Sequence, residues 1–109
     1  SYSGDKVTAK NFLNVIQGIK EGDTKNGPVL ESKKDDNVFI YYSDHGATGL
    51  VAMPTGDPLY ATDLIKALNN MYKTNMYSQL VFYLEACESG SMFDGILPNN
   101  TNVFATTAA

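Results

Sequence analysis

Two hydrophobic runs, each ending abruptly in polar residues, constrain the fold more than any other part of the chain. Residues 38–43 are almost entirely apolar or aromatic and lead into His45, the sole histidine. Residues 81–84 lead in the same way into Cys87, the sole cysteine. Continuous runs of this length are typical of buried strands, so we expect two central strands, each covered on both faces.

The segment between the two runs predicts an amphipathic helix over residues 60–73. Its apolar side chains recur at helical spacing and predict a buried face made of Leu64, Ile65, Leu68, Met71 and Tyr72. The order strand, helix, strand predicts a parallel pair joined by a right-handed crossover. The fold class is therefore α/β.

The other elements predicted from the sequence are shorter. They are a helix over residues 9–17 with Thr8 as its N-cap, a polar surface loop over residues 19–36, a strand or hairpin arm over residues 50–53, one helical turn from Ser91 to Gly95, and a third strand over residues 102–107. They would flank the two central strands.

Composition removes several classes of function. Twelve acidic residues face eight basic ones, all of them lysine, and the net charge of −4 argues against nucleic acid or an anionic membrane as partner. No apolar run approaches the ~20 residues of a membrane-spanning helix, and the first residues lack the pattern of a signal peptide. No nucleotide-binding glycine motif or serine-hydrolase motif occurs, so we expect no cofactor.

The two strand ends suggest a cysteine nucleophile with a histidine partner. His45 and Cys87 are 42 positions apart in sequence, but neighbouring parallel strands lie ~4.8 Å apart and end at the same edge of a sheet. A free thiol is only about 0.1% ionised at about pH 5.5, so a nearby imidazolium, which only His45 could supply, or a helix N-terminus would have to favour the thiolate. The backbone N–H groups of Cys87 and Gly46 would then stabilise the oxyanion.

Other interpretations of the same residues remain open at this point. A free cysteine is often a small buried hydrophobe, and an isolated histidine often a hydrogen-bonded turn residue. Asp44, His45, Glu85 and Cys87 lack the spacing of a metal site, so we expect no bound metal. Asp44 with Glu85 could instead form the carboxylate pair of a glycoside hydrolase, and a non-catalytic domain could hold a peptide in the same cleft.

Three segments carry a family resemblance, namely residues 42–49 (Tyr-Ser-Asp-His-Gly-Ala-Thr-Gly), residues 85–92 (Glu-Ala-Cys-Glu-Ser-Gly-Ser-Met) and residues 102–109 (Asn-Val-Phe-Ala-Thr-Thr-Ala-Ala). They resemble the legumain family of asparaginyl endopeptidases, also called vacuolar processing enzymes. A strand leading into Asp-His-Gly is shared with caspases, metacaspases and the transamidase that attaches GPI anchors, whereas Glu-Ala-Cys-Glu-Ser-Gly-Ser is specific to legumains.

The resemblance implies a fold, an activity and roles for five residues. The fold would be a caspase-like three-layer sandwich with a mostly parallel central sheet, and the activity cleavage after asparagine, less readily aspartate, in some relatives with peptide ligation. By motif, His45 would be the catalytic histidine, Cys87 the nucleophile and Gly46 an oxyanion donor. Glu85 would line the pocket for the P1 side chain, and Asp44 would adjoin it.

The resemblance also implies a compartment, partners and missing parts. The enzyme would work in a lysosome or vacuole on peptides with asparagine at P1, after activation of a zymogen, and cystatin-type inhibitors would bind it. The family's catalytic domain includes a further asparagine and basic pocket residues that are absent here, and the chain has no arginine. We therefore expect residues 1–109 to be an internal part of the catalytic domain that is poorly folded or inactive on its own, without the rest of that domain; the C-terminal prodomain would also lie outside it. Asn99 begins a glycosylation sequon.

Overall fold

The chain forms an α/β structure in the computed structural model, which describes residues 2–93 and 100–108. Within these residues the helices are α1 (Ala9–Ile16) and α2 (Ala61–Lys73). The strands are β1 (Asn37–Ser43), β2 (Gly46–Ala47), β3 (Leu50–Val51), β4 (Leu59–Tyr60), β5 (Gln79–Glu85) and β6 (Val103–Ala108). Short 3₁₀ turns cover Gly4–Lys6, Gly22–Thr24 and Ser89–Met92.

The main sheet is parallel and has β5 at its centre. β1 pairs with one edge of β5, with Ser43 opposite Glu85, and β6 pairs with the other edge. The parallel pair predicted from the strand–helix–strand order is confirmed, and so is the third strand. The strands β2, β3 and β4, which lie between β1 and α2 in the sequence, form a small antiparallel sheet.

Both predicted helices are present, because each combines an apolar face with suitable ends. The Thr8 side chain accepts a hydrogen bond from the Asn11 amide at 3.2 Å, as an N-cap does. α2 has Asp63 in its first turn and Lys73 in its last, which suits the helix dipole. The prediction that Tyr72 is a core residue is wrong: its side chain is 45% exposed, because it lies at the rim of the buried face.

The core lies on one face of the main sheet. Leu80, Phe82 and Leu84 of β5 point to this face and are at most 1% exposed. α2 covers them with a row of fully or almost fully buried side chains, namely Leu64, Leu68 and Met71. Burial of this kind contributes roughly 1.5–3 kcal/mol per large apolar side chain, so the packing of α2 on the sheet stabilises the fold.

The opposite face of the sheet is open, and the expectation that β1 is covered on both faces is wrong for this chain. Phe39, Tyr41 and Phe104 are 65%, 55% and 53% exposed. Alternate residues of a strand point to opposite faces, so an apolar run without alternation indicates that both faces of the strand are apolar. It does not show whether another part of the chain covers the second face. We call this surface the open face.

The remaining predictions have mixed outcomes. The strand or hairpin arm predicted over residues 50–53 is the two-residue strand β3. Ser91 lies inside the Ser89–Met92 turn, and the helical turn predicted from Ser91 to Gly95 extends outside the described residues. No helix among residues 2–93 and 100–108 is long and apolar enough to cross a membrane.

Candidate active site

The carboxyl ends of β1 and β5 bring the two candidate catalytic residues to one edge of the sheet. Ser43 and Glu85 are directly paired in the register, and each is followed two positions later by His45 and Cys87 respectively. The Asp44 amide continues the pairing by donating to the Glu85 carbonyl at 3.1 Å. Corresponding positions of two neighbouring strands therefore supply an imidazole and a thiol to the same edge.

Gly46 packs directly against the backbone of Cys87. A Cβ atom added at Gly46 would lie 2.5 Å from the Cys87 carbonyl oxygen and 3.0 Å from the Ala86 Cβ. Contacts as short as 2.5 Å do not occur between such atoms, so only glycine allows the segment after His45 to approach the segment that carries Cys87 this closely. This contact links the two halves of the candidate site directly.

Cys87 lies on a sharp turn that leaves it accessible. The residue is exposed and follows β5 by two positions. Glu88 next to it adopts a left-handed conformation with φ of 58°, which costs a non-glycine residue about 1–3 kcal/mol and therefore needs support from its surroundings. That support comes from Met92 and Phe93, which follow in the chain and are buried in the core.

His45 is exposed at the start of a tight hairpin. Its carbonyl accepts a hydrogen bond from the Ala52 amide at 2.7 Å, beside the β2–β3 pair. Its own amide donates to the Asp44 carboxylate at 2.7 Å. Asp44 thus braces the backbone at the bend, which is a common task of aspartate in turns.

Glu85 lies on the open face, next to a tyrosine that sequence reasoning missed. The Tyr41 hydroxyl donates a hydrogen bond to Oε1 of Glu85. This bond raises the pKa of Tyr41 above its ordinary value, so the hydroxyl remains a donor at acidic and neutral pH. The predicted parallel pairing of the two strands could have revealed this contact, because Tyr41 belongs to the alternate set of β1 residues that faces the same way as Glu85.

Three further observations concern other parts of the chain. No group of three or more histidine, cysteine, aspartate or glutamate residues within the described part of the chain could hold a metal ion. A cavity of about 790 Å³ lies between α1 and α2, lined among others by Asn14 and Asp63, and contains neither His45 nor Cys87. Asn99, the candidate glycosylation site, lies outside the described residues.

Comparison with known proteins identifies the family of the chain. The sequence profile described as the Peptidase C13 family matches residues 1–109. The chain belongs to the peptidase C13 family. Its motifs after β1 and β5 are the segments from which the legumain resemblance was drawn, and that resemblance is confirmed.

Several curated proteins are similar to this chain along almost its whole length. Identity is 52% over 109 residues with the vacuolar-processing enzyme delta-isozyme of Arabidopsis thaliana, 51% over 108 residues with a hemoglobinase of Schistosoma japonicum, and 50% over 110 residues with human legumain. Each alignment covers 99% of this chain but only 23–25% of the relative. The chain thus spans about a quarter of the length of these C13 peptidases.

Proposed function

We propose that this chain contributes the catalytic cysteine and histidine of a cysteine endopeptidase that cleaves peptide bonds after asparagine and, less readily, after aspartate. The observation that carries the proposal is the contact between Gly46 and the Cys87 backbone, at an edge where His45 and Cys87 occupy corresponding positions. Both side chains are exposed and can reach a peptide.

In the first half of the proposed reaction, Cys87 acts as a thiolate beside the His45 imidazolium. The sulfur attacks the carbonyl carbon, a C–S bond forms, and the oxyanion accepts hydrogen bonds from backbone N–H groups of Gly46 and Cys87. When the C–N bond breaks, the imidazolium gives its proton to the leaving amine. The product is a thioester on Cys87 and a free amine.

In the second half, water attacks the thioester and restores the enzyme. Neutral His45 takes a proton from the water as its oxygen bonds to the carbonyl carbon, and the C–S bond breaks to release the acid and the thiolate. An incoming amine in place of water would yield a new peptide bond. Ligation thus needs no residue beyond those used for hydrolysis.

The preference for asparagine is assigned to Glu85, with Asp44 beside it. A carboxylate accepts hydrogen bonds from the two N–H groups of an asparagine amide, whereas an aspartate side chain would satisfy it only when protonated. Glu85 is half-buried, ends β5 two positions before Cys87, and has one carboxylate oxygen bonded to Tyr41. Such a partly desolvated, oriented carboxylate is suited to a P1 pocket.

Residues 1–109 would form part of a larger, caspase-like catalytic domain. The open face carries Phe39, Tyr41 and Phe104, and exposed aromatic surface of this kind is usually covered in the native state. Further helices of the same enzyme would cover it and complete a three-layer sandwich, with a prodomain and cystatin-type inhibitors as further partners. The relatives are called vacuolar-processing enzyme and hemoglobinase, which supports protein substrates and a vacuolar or lysosomal location.

The test is covalent labelling of the enzyme that contains this chain. A peptide electrophile with asparagine at P1 is expected to modify Cys87 at about pH 5.5, as seen by mass spectrometry, and the same electrophile with lysine at P1 serves as the matched control. His45→Ala should slow the labelling, and Cys87→Ser should lower peptidase activity by at least ~10³-fold. If Cys87 remains unmodified, the result favours a peptide-binding pseudoenzyme. If activity is lost only at Glu85→Gln, the result favours a hydrolase that uses carboxylates as its catalytic groups.

A further inference from the structure

A single hydroxyl group bridges the two loops that carry His45 and Cys87. The Ser91 Oγ accepts a hydrogen bond from the Gly49 amide at 2.7 Å and donates one to the Glu88 carbonyl at 2.6 Å. Gly49 closes the hairpin that begins directly after His45, and Glu88 directly follows Cys87. The bridge joins segments 42 positions apart in sequence.

Both ends of this bridge are anchored in the rest of the fold. The Gly49 carbonyl accepts a hydrogen bond from the amide of Ala61, the first residue of α2, at 2.9 Å. On the other side, Met92 next to Ser91 is fully buried. The Ser91 hydroxyl therefore connects two supported backbone segments, and its hydrogen bonds can fix their separation.

We propose that Ser91 is a positioning residue, whose hydroxyl holds the His45 hairpin at the distance from the Cys87 turn that thiolate formation requires. This inference rests on the proposed cysteine–histidine function, but it concerns a residue with no contact to the substrate in that mechanism. A displacement of about 1 Å between catalytic groups costs on the order of 100-fold in rate, so loss of the bridge is expected to matter.

The neighbouring serine of the same turn provides a matched control. The Ser89 hydroxyl is fully buried and donates to the Ala108 carbonyl of β6, so it ties the turn to the sheet and not to the hairpin. Ser89→Ala removes the same atom from the same turn. It should reduce the thermal stability of the enzyme without altering how His45 acts on Cys87.

The experiment compares Ser91→Thr with Ser91→Val, a pair with the same shape that differs in the hydroxyl. Iodoacetamide modification of Cys87 in the enzyme containing this chain is followed by mass spectrometry at about pH 5.5, where the thiolate depends on His45, and at about pH 9, where bulk ionisation supplies it. The carboxylates near the pair, on Asp44, Glu85 and Glu88, are unchanged in both variants. The rate at low pH divided by the rate at high pH therefore isolates the effect of His45.

Ser91→Val is expected to lower this ratio about tenfold or more, whereas Ser91→Thr and Ser89→Ala should keep it within about twofold of the parent enzyme. Equal ratios for the Ser91→Thr and Ser91→Val enzymes would overturn the inference, as would a Ser91→Val effect that is matched by Ser89→Ala. His45→Ala distinguishes failure of the proposed function: if this variant leaves the ratio unchanged, His45 does not promote the thiolate and the inference falls with it.

Discussion

Replacing Gly46 by alanine tests the contact on which the candidate site depends. The new Cβ would lie 2.5 Å from the Cys87 carbonyl oxygen and 3.3 Å from that of Leu50, both backbone atoms that cannot rotate away. Ordinary carbon–oxygen contacts begin at ~3.3 Å, so the His45 hairpin and the Cys87 turn must separate by about 0.8 Å. We expect a loss of ~1–3 kcal/mol in the free energy of unfolding from overpacking.

The effect on catalysis should be larger than the effect on folding. A separation of nearly 1 Å between histidine and cysteine is expected to lower kcat/KM for an asparagine peptide by about 10–100-fold. The assay is steady-state hydrolysis by the enzyme containing this chain, with thermal unfolding measured on the same samples. A folded Gly46→Ala enzyme whose kcat/KM lies within twofold of the parent would refute the argument.

Gly90→Ala is the matched control for this experiment. Gly90 lies in the same turn as Cys87, but a Cβ there would meet only the Thr107 Oγ1, at an ordinary contact distance of 3.8 Å. We expect kcat/KM to stay within about twofold of the parent value, because neither loop has to move. An equal loss at both glycines would indicate that the turn tolerates no substitution and that the Gly46 contact has no special role.

Two further substitutions test the open face. Tyr41→Phe removes the hydroxyl that donates to Glu85 and should raise KM for asparagine peptides several-fold, with less effect on kcat. Tyr83→Phe is the control, because its ring lies 5.5 Å from that of Tyr41, and it should leave KM and kcat unchanged. Equal changes in KM for the two variants would argue against a role for the hydrogen bond. If the rest of the domain covers the open face, Phe39→Lys should destabilise the enzyme by at least ~1.5–3 kcal/mol, which would be seen as a lower Tm. An unchanged Tm would mean that the open face stays exposed to water.

The sequence predicted the elements of the main sheet and the ends that carry the site. Apolar runs and helical spacing depend on neighbouring residues, so the central strands, α1 and α2 were found to within one or two residues, and the candidate pair followed from their order. The same reasoning failed at Tyr72 and at Phe39. Periodicity distinguishes an apolar face of a helix or strand from a polar one. It does not show whether the apolar face is buried against another part of the chain or left exposed.

The sequence by itself determined which residues form strands and helices and that a thiol and an imidazole follow two parallel strands. Only the tertiary structure decided that Gly46 meets the Cys87 backbone, that Ser91 bridges Gly49 and Glu88, and that Tyr41 holds Glu85. Local propensity is set within a few residues along the chain, whereas the Gly46, Ser91–Gly49 and Tyr41–Glu85 contacts join residues about forty positions apart. The pairing of β1 with β5 and the course of the loops after them bring such residues together, and both depend on how distant apolar faces pack in the folded chain.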